Sequence, residues 1–371
     1  MEPVGDSNSR GVFAVTVTYG DRFALLERVV TAALANGVDR IIVVDNGSVR
    51  ESRQKIEASV AGSEGRIALL SLPANLGSAA GFKAGLEHVA RISECNFVWL
   101  LDDDNQPAEK ALDTLFEQHG RLSQSIAQDQ LSLASLRQSW DQHRKLAHGV
   151  AVHRVFPRHS SFMGFHLLIP PRVLAGVFHY DRPVRPSNEP AIQIPFAPYG
   201  GLFFDKRVIS KLGYPNESFF LYNDDTEYTY RFTSRGGKLF LVPGSVLFDL
   251  DNSWHLVNEG ETFVSHFLLA DSDWRIYYAT RNQSYVSRHF WARNFLVYSI
   301  NKWAFFVLLS LYALRHRRWK RLVLIARAAR QGELGELGRR PDLEALEQAQ
   351  KHAGSPGRET RDQHFFASPE T

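Results

Sequence analysis

Three consecutive aspartates, Asp102, Asp103 and Asp104, follow the apolar run 97–101 (Phe, Val, Trp, Leu, Leu) without a spacer. Adjacent carboxylates repel one another unless a cation or a basic partner compensates, and an all-oxygen cluster of this kind suits Mg²⁺ or Mn²⁺. A plainer role is open as well. Asn105 and Pro107 precede Ala111, Leu112, Leu115 and Phe116 at helical spacing, so an aspartate there can cap a helix. One cap needs only one carboxylate.

A second acidic cluster, Asp224, Asp225 and Glu227, follows the apolar run 219–222 and leads into Tyr228, Tyr230, Arg231 and Phe232. If a helix starts near Asp224, one carboxylate caps it and the other faces the cleft as a base; alternatively both only cap, which leaves one idle. His255, beside Trp254, is the third element. A lone histidine is more often a satisfied structural residue than a ligand, and its rank rises only in company.

These side chains need a scaffold, and the first third of the chain supplies the pattern for one. Apolar runs at 12–17, 41–44, 67–72 and 97–101 read as buried strands, with helical spacing between them at 25–34, 54–60 and 78–92. Alternation at this pace implies an α/β fold, a mostly parallel sheet with helices on both faces, whose ligands bind beyond the carboxyl ends of the strands. Thr18, Asp45, Asn75 and Asp102 each fall just after a strand. The middle is less regular. Residues 118–140 read as a helix and an ill-defined connection, 162–169 and 195–204 as strands, and Gly200 and Gly201 inside the latter as a bulge or a close backbone approach to a ligand. Residues 238–242, 245–250 and 253–255 close the globular part.

The 371 residues fit one large domain with appendages, or two domains. A net charge of +3 hides an asymmetry, because the acidic clusters lie in the first two thirds and 315–330 is basic. The one cysteine, Cys95, forms no internal disulfide, reads as a small core residue and fits a reducing, cytoplasmic compartment. The first ten residues lack the apolar centre of a signal peptide, so no export of the N-terminal domain is expected.

Beyond residue 274 the character changes. Residues 295–300 and 303–314 are apolar, but Asn301 and Lys302 interrupt them, and a lysine at bilayer centre costs about 2.5–3.5 kcal/mol on insertion scales. A helix lying in the membrane interface fits better than a span. Trp291, Tyr298, Trp303 and Tyr312, with Arg315, Arg317, Arg318, Lys320 and Arg321, match such an anchor facing anionic lipid; the alternative is a core or dimer helix with a solvated basic end. The tail from about 341 reads as largely disordered, most clearly beyond 352.

Taken in order, the segments resemble the inverting glycosyltransferases of family 2: Thr-Val-Thr-Tyr-Gly at 16–20, Val-Val-Asp-Asn-Gly-Ser at 43–48, Asn-Leu-Gly-Ser-Ala-Ala-Gly-Phe at 75–82 and Leu-Leu-Asp-Asp-Asp at 100–104. Gly-Gly-Leu-Phe-Phe at 200–204, Asp-Asp-Thr-Glu-Tyr at 224–228 with Arg231, Trp-His at 254–255 and Tyr-Tyr-Ala-Thr-Arg-Asn at 277–282 continue the likeness. It covers about residues 11–290 and is nearest to bacterial galactofuranosyltransferases and their rhamnosyltransferase relatives.

The resemblance implies a GT-A fold in residues 1–274, with a donor half at about 11–117 and an acceptor half at about 160–274. A helical, membrane-associating region follows at 275–340. It further implies a nucleotide-sugar donor, UDP-galactofuranose before dTDP-rhamnose, a divalent cation (Mn²⁺ or Mg²⁺), a glycan or lipid-linked acceptor and a place at the cytoplasmic face of the membrane, peripheral or monotopic. Position by position, Asp45 would meet the uracil or thymine edge, with Thr18 and Asn75 near base and ribose. Asp102 and Asp103 would contact the donor; Asp102, Asp104 and His255 would hold the metal; and Asp225 would be the catalytic base. Gly200, Gly201, Asp224, Glu227 and Arg281 would contact acceptor or donor. Two departures stand out. Residues 77–81 carry fewer glycines than galactofuranosyl members, and 118–160 matches nothing, so donor and acceptor identity stay open.

Other classes fit less well. A dinucleotide-dependent oxidoreductase needs a Gly-x-Gly-x-x-Gly turn after the first strand, and a nucleotidyltransferase a Gly-rich basic phosphate loop; neither is present. A non-catalytic membrane adaptor need not keep Asp104, His255 and Asp225 together. Nucleic acid is not an expected partner, because the basic residues cluster beside an aromatic apolar helix; oligomerisation is left open.

Overall fold

The first strand is buried on both faces, and its side chains go alternately to two cores. In β1 (Val12–Gly20), Val12 and Ala14 join one apolar cluster while Phe13 and Val15 join the other, as the two-residue period of a strand requires. The computed structural model describes residues 10–168, 189–251, 267–269 and 272–343. Helices α1 (Phe23–Ala35) and α2 (Arg50–Ala61) cover the Val12 face, α3 (Ser78–Ala90) covers the Phe13 face, and α4 (Ala111–Leu122) returns to the first.

Strands β2 (Arg40–Ser48), β3 (Ile67–Ser71) and β4 (Phe97–Asp102) pair in parallel around β1 in the order β3-β2-β1-β4. Register aligns their ends: Thr18 lies opposite Asp45, Asp45 opposite Ser71, and Val17 opposite Asp102. The polar residues that terminate the strands therefore share one sheet edge, as expected of an α/β fold.

The sheet continues through β8 (Leu202–Asp205), β6 (Leu131–Arg137), β9 (Lys238–Asp249) and β5 (Asn105–Pro107), with β7 (Ile192–Ile194) also on β9. Here β8 runs antiparallel to β4 and β6, while β6 and β9 are parallel. Several expectations change in this half. Residues 131–137, read as an ill-defined connection, form a wholly buried strand whose apolar signal is diluted by Ser132, Ala134 and Ser135. Residues 162–168 form no strand, only a bridge between Phe162 and Phe165, because those rings are spent on helix packing. The stretch 195–204 divides between a loop and β8, whereas 238–242 and 245–250 merge into β9 with a register shift. Residues 105–107, expected to lead into a helix, pair with β9, and Lys110 rather than an aspartate precedes α4.

Shorter helices α5 (Asp141–Ala147) and α6 (Arg207–Leu212) flank the mixed half, and α7 (Asp224–Ser234) carries the second acidic cluster. Three C-terminal helices follow: α8 (Asp273–Val286), α9 (Phe295–His316) and α10 (Trp319–Leu334). Asn301 and Lys302 do not break α9. Asn301 donates to the Ser160 carbonyl at 2.9 Å and accepts from the Leu167 N–H at 3.0 Å, and the Lys302 ammonium meets Glu333 at 2.6 Å. Two aromatics expected at a membrane are core residues instead: Trp291 donates to the Pro157 carbonyl, and buried Tyr298 donates to Glu333.

Candidate active site

The aspartates that end β4 do not cap a helix; two arginines divide them. Arg22, at the start of α1, donates to both oxygens of Asp103 at 3.0 Å, to Asp104 at 2.9 Å and to Asp251 at 2.8 Å. Arg137, the last residue of β6, donates to Asp102 at 3.0 Å and to Asp249 at 2.8 Å. Asp103 is buried and also accepts from the Thr18 hydroxyl at 2.8 Å, and Asn105 bridges Asp104 and Asp249 at 3.0 and 2.9 Å. Asp102 is the member of the trio that opens most to solvent, with 33% of its side chain exposed.

The second acidic cluster stands on the first turn of α7, near enough to Asp102 for their charges to act on one another. Three residues without the freedom of glycine, Phe220, Tyr222 and Asn223, take φ values of 64°, 67° and 58° immediately before it, a conformation that persists only where the surroundings enforce it. Here they do. Asn282 on α8 points its amide nitrogen at the carbonyls of Phe219, Leu221 and Tyr222, at 3.0, 2.7 and 2.9 Å. From the other side the backbone of Gly77 comes so close that a Cβ there would lie 2.0 Å from the Phe220 carbonyl oxygen. The clamped turn delivers two carboxylates with different partners: Asp224 is buried and accepts from Ser78 at 2.8 Å, while half-buried Asp225 accepts the Thr226 N–H at 2.6 Å.

Electrostatics tie the two clusters together. Burial, then the negative charges of Asp104, Asp103 and Asp225, push Asp102 up to about 7 against the pull of Arg137. Burial and neighbouring Asp225 push Asp224 up to about 8, with Ser78 opposing. Asp225 and Asp104 are raised as well, chiefly by burial. For Arg22, burial disfavours the charge, but its bonds to Asp103 and Asp251 and the field of the aspartates more than offset this, so it stays charged. Five carboxylates (Asp102, Asp103, Asp104, Asp249, Asp251) thus share two guanidiniums, and with Asp224 and Asp225 coupled to Asp102 the site keeps a negative surplus.

The remaining sequence candidates fall into three groups. Asp45 is fully buried and closes the turn after β2, accepting from the Ser48 N–H and from Arg53, both at 2.7 Å. Asn75 caps the Gly77 N–H at 3.0 Å on the neighbouring loop, which Gly47 approaches so closely that a Cβ would meet the Asn75 nitrogen at 2.7 Å. Gly200 lines the crevice, since a Cβ there would lie 1.9 Å from Asn105 Oδ1 and 2.7 Å from Asp102 Oδ2. Gly201, at φ +96°, turns the chain into β8 against Ser135 and Leu247. Glu227 and Arg281 face the interior. Glu227 pairs with Arg231 at 2.8 Å, and Arg231 also holds the carbonyls of Leu212 and Tyr214; Arg281 donates to the Phe219 and Gly338 carbonyls under Tyr277 and Tyr278. His255 lies outside the described residues.

The donor set fits a hard divalent cation. Asp102 and Asp104 offer oxygen ligands in surroundings with surplus negative charge, and the buried Asn105 Oδ1 has no hydrogen-bond partner among the described residues. Among the described residues, no three His, Cys, Asp or Glu side chains already stand in a metal-holding group, so the fit rests on Asp102 and Asp104.

Residues 14–175 match the model of glycosyl transferase family 2. The matched region is less than half of the chain and contains β1 to β6, hence Thr18, Asp45, Asn75, the three aspartates, Arg22 and Arg137. No curated protein matches the chain. Among solved structures, it is similar to GalNAc-T7 with UDP, GalNAc and Mn²⁺, at 13% identity and a TM-score of 0.49, covering 75% of this chain and 51% of that one. It is also similar to the mannosyltransferase PcManGT from Pyrobaculum calidifontis in complex with GDP-Man and Mn²⁺, at 13% identity and a TM-score of 0.46, covering 93% and 81%. The chain spans about half the length of the GalNAc-T7 structure.

Several residues around the acidic edge escape a reading of the sequence alone. Arg22 and Arg137 stand 81 and 35 positions from the carboxylates they pair with, and nothing local marks them. Tyr199, directly before Gly200, carries no sequence signal for the site. Its buried hydroxyl has no hydrogen-bond partner among the described residues and is held well above its ordinary range by burial and by Asp224 and Asp225.

Proposed function

We propose that the protein is a metal-dependent, inverting glycosyltransferase. It moves a sugar from a nucleotide-sugar donor, UDP-galactofuranose foremost, to a lipid-linked or cell-surface polysaccharide acceptor at the cytoplasmic face of a membrane. What supports this reading is the electrostatic coupling of Asp102 with Asp225, which puts the two acidic clusters near each other, in a chain whose residues 14–175 match glycosyl transferase family 2.

Inversion needs a base on one side of the anomeric carbon and charge neutralisation on the other. Asp225 takes the proton of the acceptor hydroxyl on its carboxylate; burial raises its basicity, and the clamped turn fixes its aim. Asp224, tied to Ser78, holds a proton more firmly than an ordinary aspartate and so limits the charge beside the base. Arg22 and Arg137 keep the three β4 carboxylates from repelling one another before the donor arrives. Thr18, Asp45 and Asn75 mark the nucleoside end of the same sheet edge. A divalent cation bound by Asp102 and Asp104, with His255 as a third ligand, would offset charge on the departing diphosphate. Residues 1–274 form the catalytic unit in this reading, braced by 275–340.

A panel of UDP-galactofuranose, UDP-galactose, UDP-glucose and dTDP-rhamnose with Mn²⁺ tests the reading. One donor should turn over selectively, and Asp225→Asn should lower kcat by roughly 10²- to 10⁴-fold with donor binding retained. Selective use of dTDP-rhamnose would assign the rhamnosyl alternative, and full turnover by Asp225→Asn would remove Asp225 from its role.

A further inference from the structure

Helix α9 is divided lengthwise. On one side Phe305, Leu309 and Ala313 pack into the cluster formed with Phe162, Phe165 and Ile325, and Asn301 and Lys302 are tied to Ser160 and Glu333. On the other, Leu296, Ile300, Trp303, Val307, Leu311 and Leu314 are 49–71% exposed. Their spacing of four, three, four, four and three keeps them within a sector of about 80° at 3.6 residues per turn, over a length of about 27 Å. A stripe of six large apolar side chains is far from the scattered single exposures of an ordinary surface.

Charge and aromatic placement indicate what the stripe meets. Arg315, Arg317, Arg318 and Lys320 are all exposed at the turn joining α9 to α10, directly beyond Leu314, with Trp319 exposed among them. An apolar stripe bearing tryptophan and ending in a basic cluster is the chemistry of a headgroup boundary: chains below, phosphates beside. The helix is long and apolar enough to cross a bilayer, but its inner face carries Asn301, Lys302 and Tyr298, each bonded to the folded protein. A spanning helix would have to give up all three attachments.

We propose that the outer face of α9 is a docking surface for an anionic lipid bilayer. The helix lies flat on it, with Leu296, Ile300, Trp303, Val307, Leu311 and Leu314 in the acyl boundary and Arg315, Arg317, Arg318 and Lys320 on lipid phosphates. This surface is independent of the crevice chemistry and stands whether or not the chain transfers a sugar.

The test is flotation of the full chain with vesicles of pure phosphatidylcholine and of phosphatidylcholine with about one-third phosphatidylglycerol. Wild type should float with the anionic vesicles and at least tenfold less with the neutral ones. The triple variant Trp303→Ser, Val307→Asn, Leu311→Gln should lose flotation, with an unchanged circular dichroism spectrum and unchanged UDP binding. The pair Arg317→Ser, Arg318→Ser should lose most of the preference for anionic vesicles. Wild-type protein that stays in solution with anionic vesicles overturns the proposal, as does a well-folded triple variant that floats like wild type. A wild-type dimer that the triple variant breaks, without vesicle binding by either, would assign the stripe to a second copy and also overturn it.

Discussion

The amide nitrogen of Asn282 lies 2.9 Å from the carbonyl oxygen of Tyr222, and through this contact a C-terminal helix controls the geometry of a turn some sixty residues earlier in the chain. The turn holds three left-handed residues ahead of Asp224 and Asp225, and its other side leans on Gly77. Removing Asn282 withdraws one donor from each of the carbonyls of Phe219, Leu221 and Tyr222 and loosens the strained turn. Asn282→Ala should therefore cost about 1–3 kcal/mol of stability, and should lower kcat at least tenfold while KM for the donor changes little. Chemical denaturation together with steady-state kinetics checks both, and an unchanged kcat would show that the turn keeps its aim unaided.

Arg137 serves two carboxylates at once and is itself buried. Replacing it by methionine strands Asp249, also buried, and destabilises the fold by about 3–5 kcal/mol, the usual cost of breaking a buried pair from one side. Urea midpoints at neutral pH measure this. The double variant Arg137→Met, Asp249→Asn should recover part of the loss.

Gly200 is not in a left-handed conformation, so a side chain there is opposed only by space. An alanine methyl would overlap Asn105 Oδ1 and crowd Asp102 Oδ2. Gly200→Ala should cost about 1–3 kcal/mol from overpacking and weaken Mn²⁺ binding at least tenfold. Isothermal titration of the metal alone reads the second effect without any turnover assay.

Acidity should act on the crevice near neutrality. Asp102 is pushed up to about 7, chiefly by burial, and a protonated carboxyl is a poor ligand. Mn²⁺ affinity should fall by about tenfold per pH unit below 7, one proton being taken up as the ion leaves. Asp102→Asn should bind weakly at every pH and show no such slope.

A second acid effect belongs to the fold. His143 accepts the Arg137 N–H on Nδ1 at 3.1 Å and is pushed down to about 3 by burial and by the adjacent guanidinium. An unfolded chain protonates histidine near 6.5. The unfolded state therefore takes up the proton first, and stability is lost as pH falls from about 6.5 to about 3, at up to about 1.4 kcal/mol per unit. His143→Gln should be less stable at pH 7 but flatter across that window, as urea midpoints at pH 7, 5 and 4 would show.

The first third of the fold is legible in the sequence because its strands lie in a parallel sheet. Runs such as 41–44 and 97–101 are apolar throughout, and the aspartate that follows each, Asp45 or Asp102, stands at the same end of the sheet. The rest is not, for reasons that can be named. The strand 131–137 spends serine and alanine on tight interior packing, Ser135 meeting Ser245 at 2.8 Å, and so lacks a bulky signature. Phe162 and Phe165 look strand-like but fill a helix interface. In the acidic cluster the need for a positive partner was readable. The identity of Arg22 and Arg137 was not, since pairing across the sheet has no local pattern. Trp291 and Tyr298 look like membrane aromatics until their hydrogen-bond partners are known.

Lys302 sits at the middle of an apolar helix, and its ammonium is taken up by Glu333, which lies 31 positions further on. Without that carboxylate the ammonium would stand unpaired on a helix that is apolar on both sides, so one acid on the neighbouring helix lets the same segment serve the interior with one flank and face outward with the other.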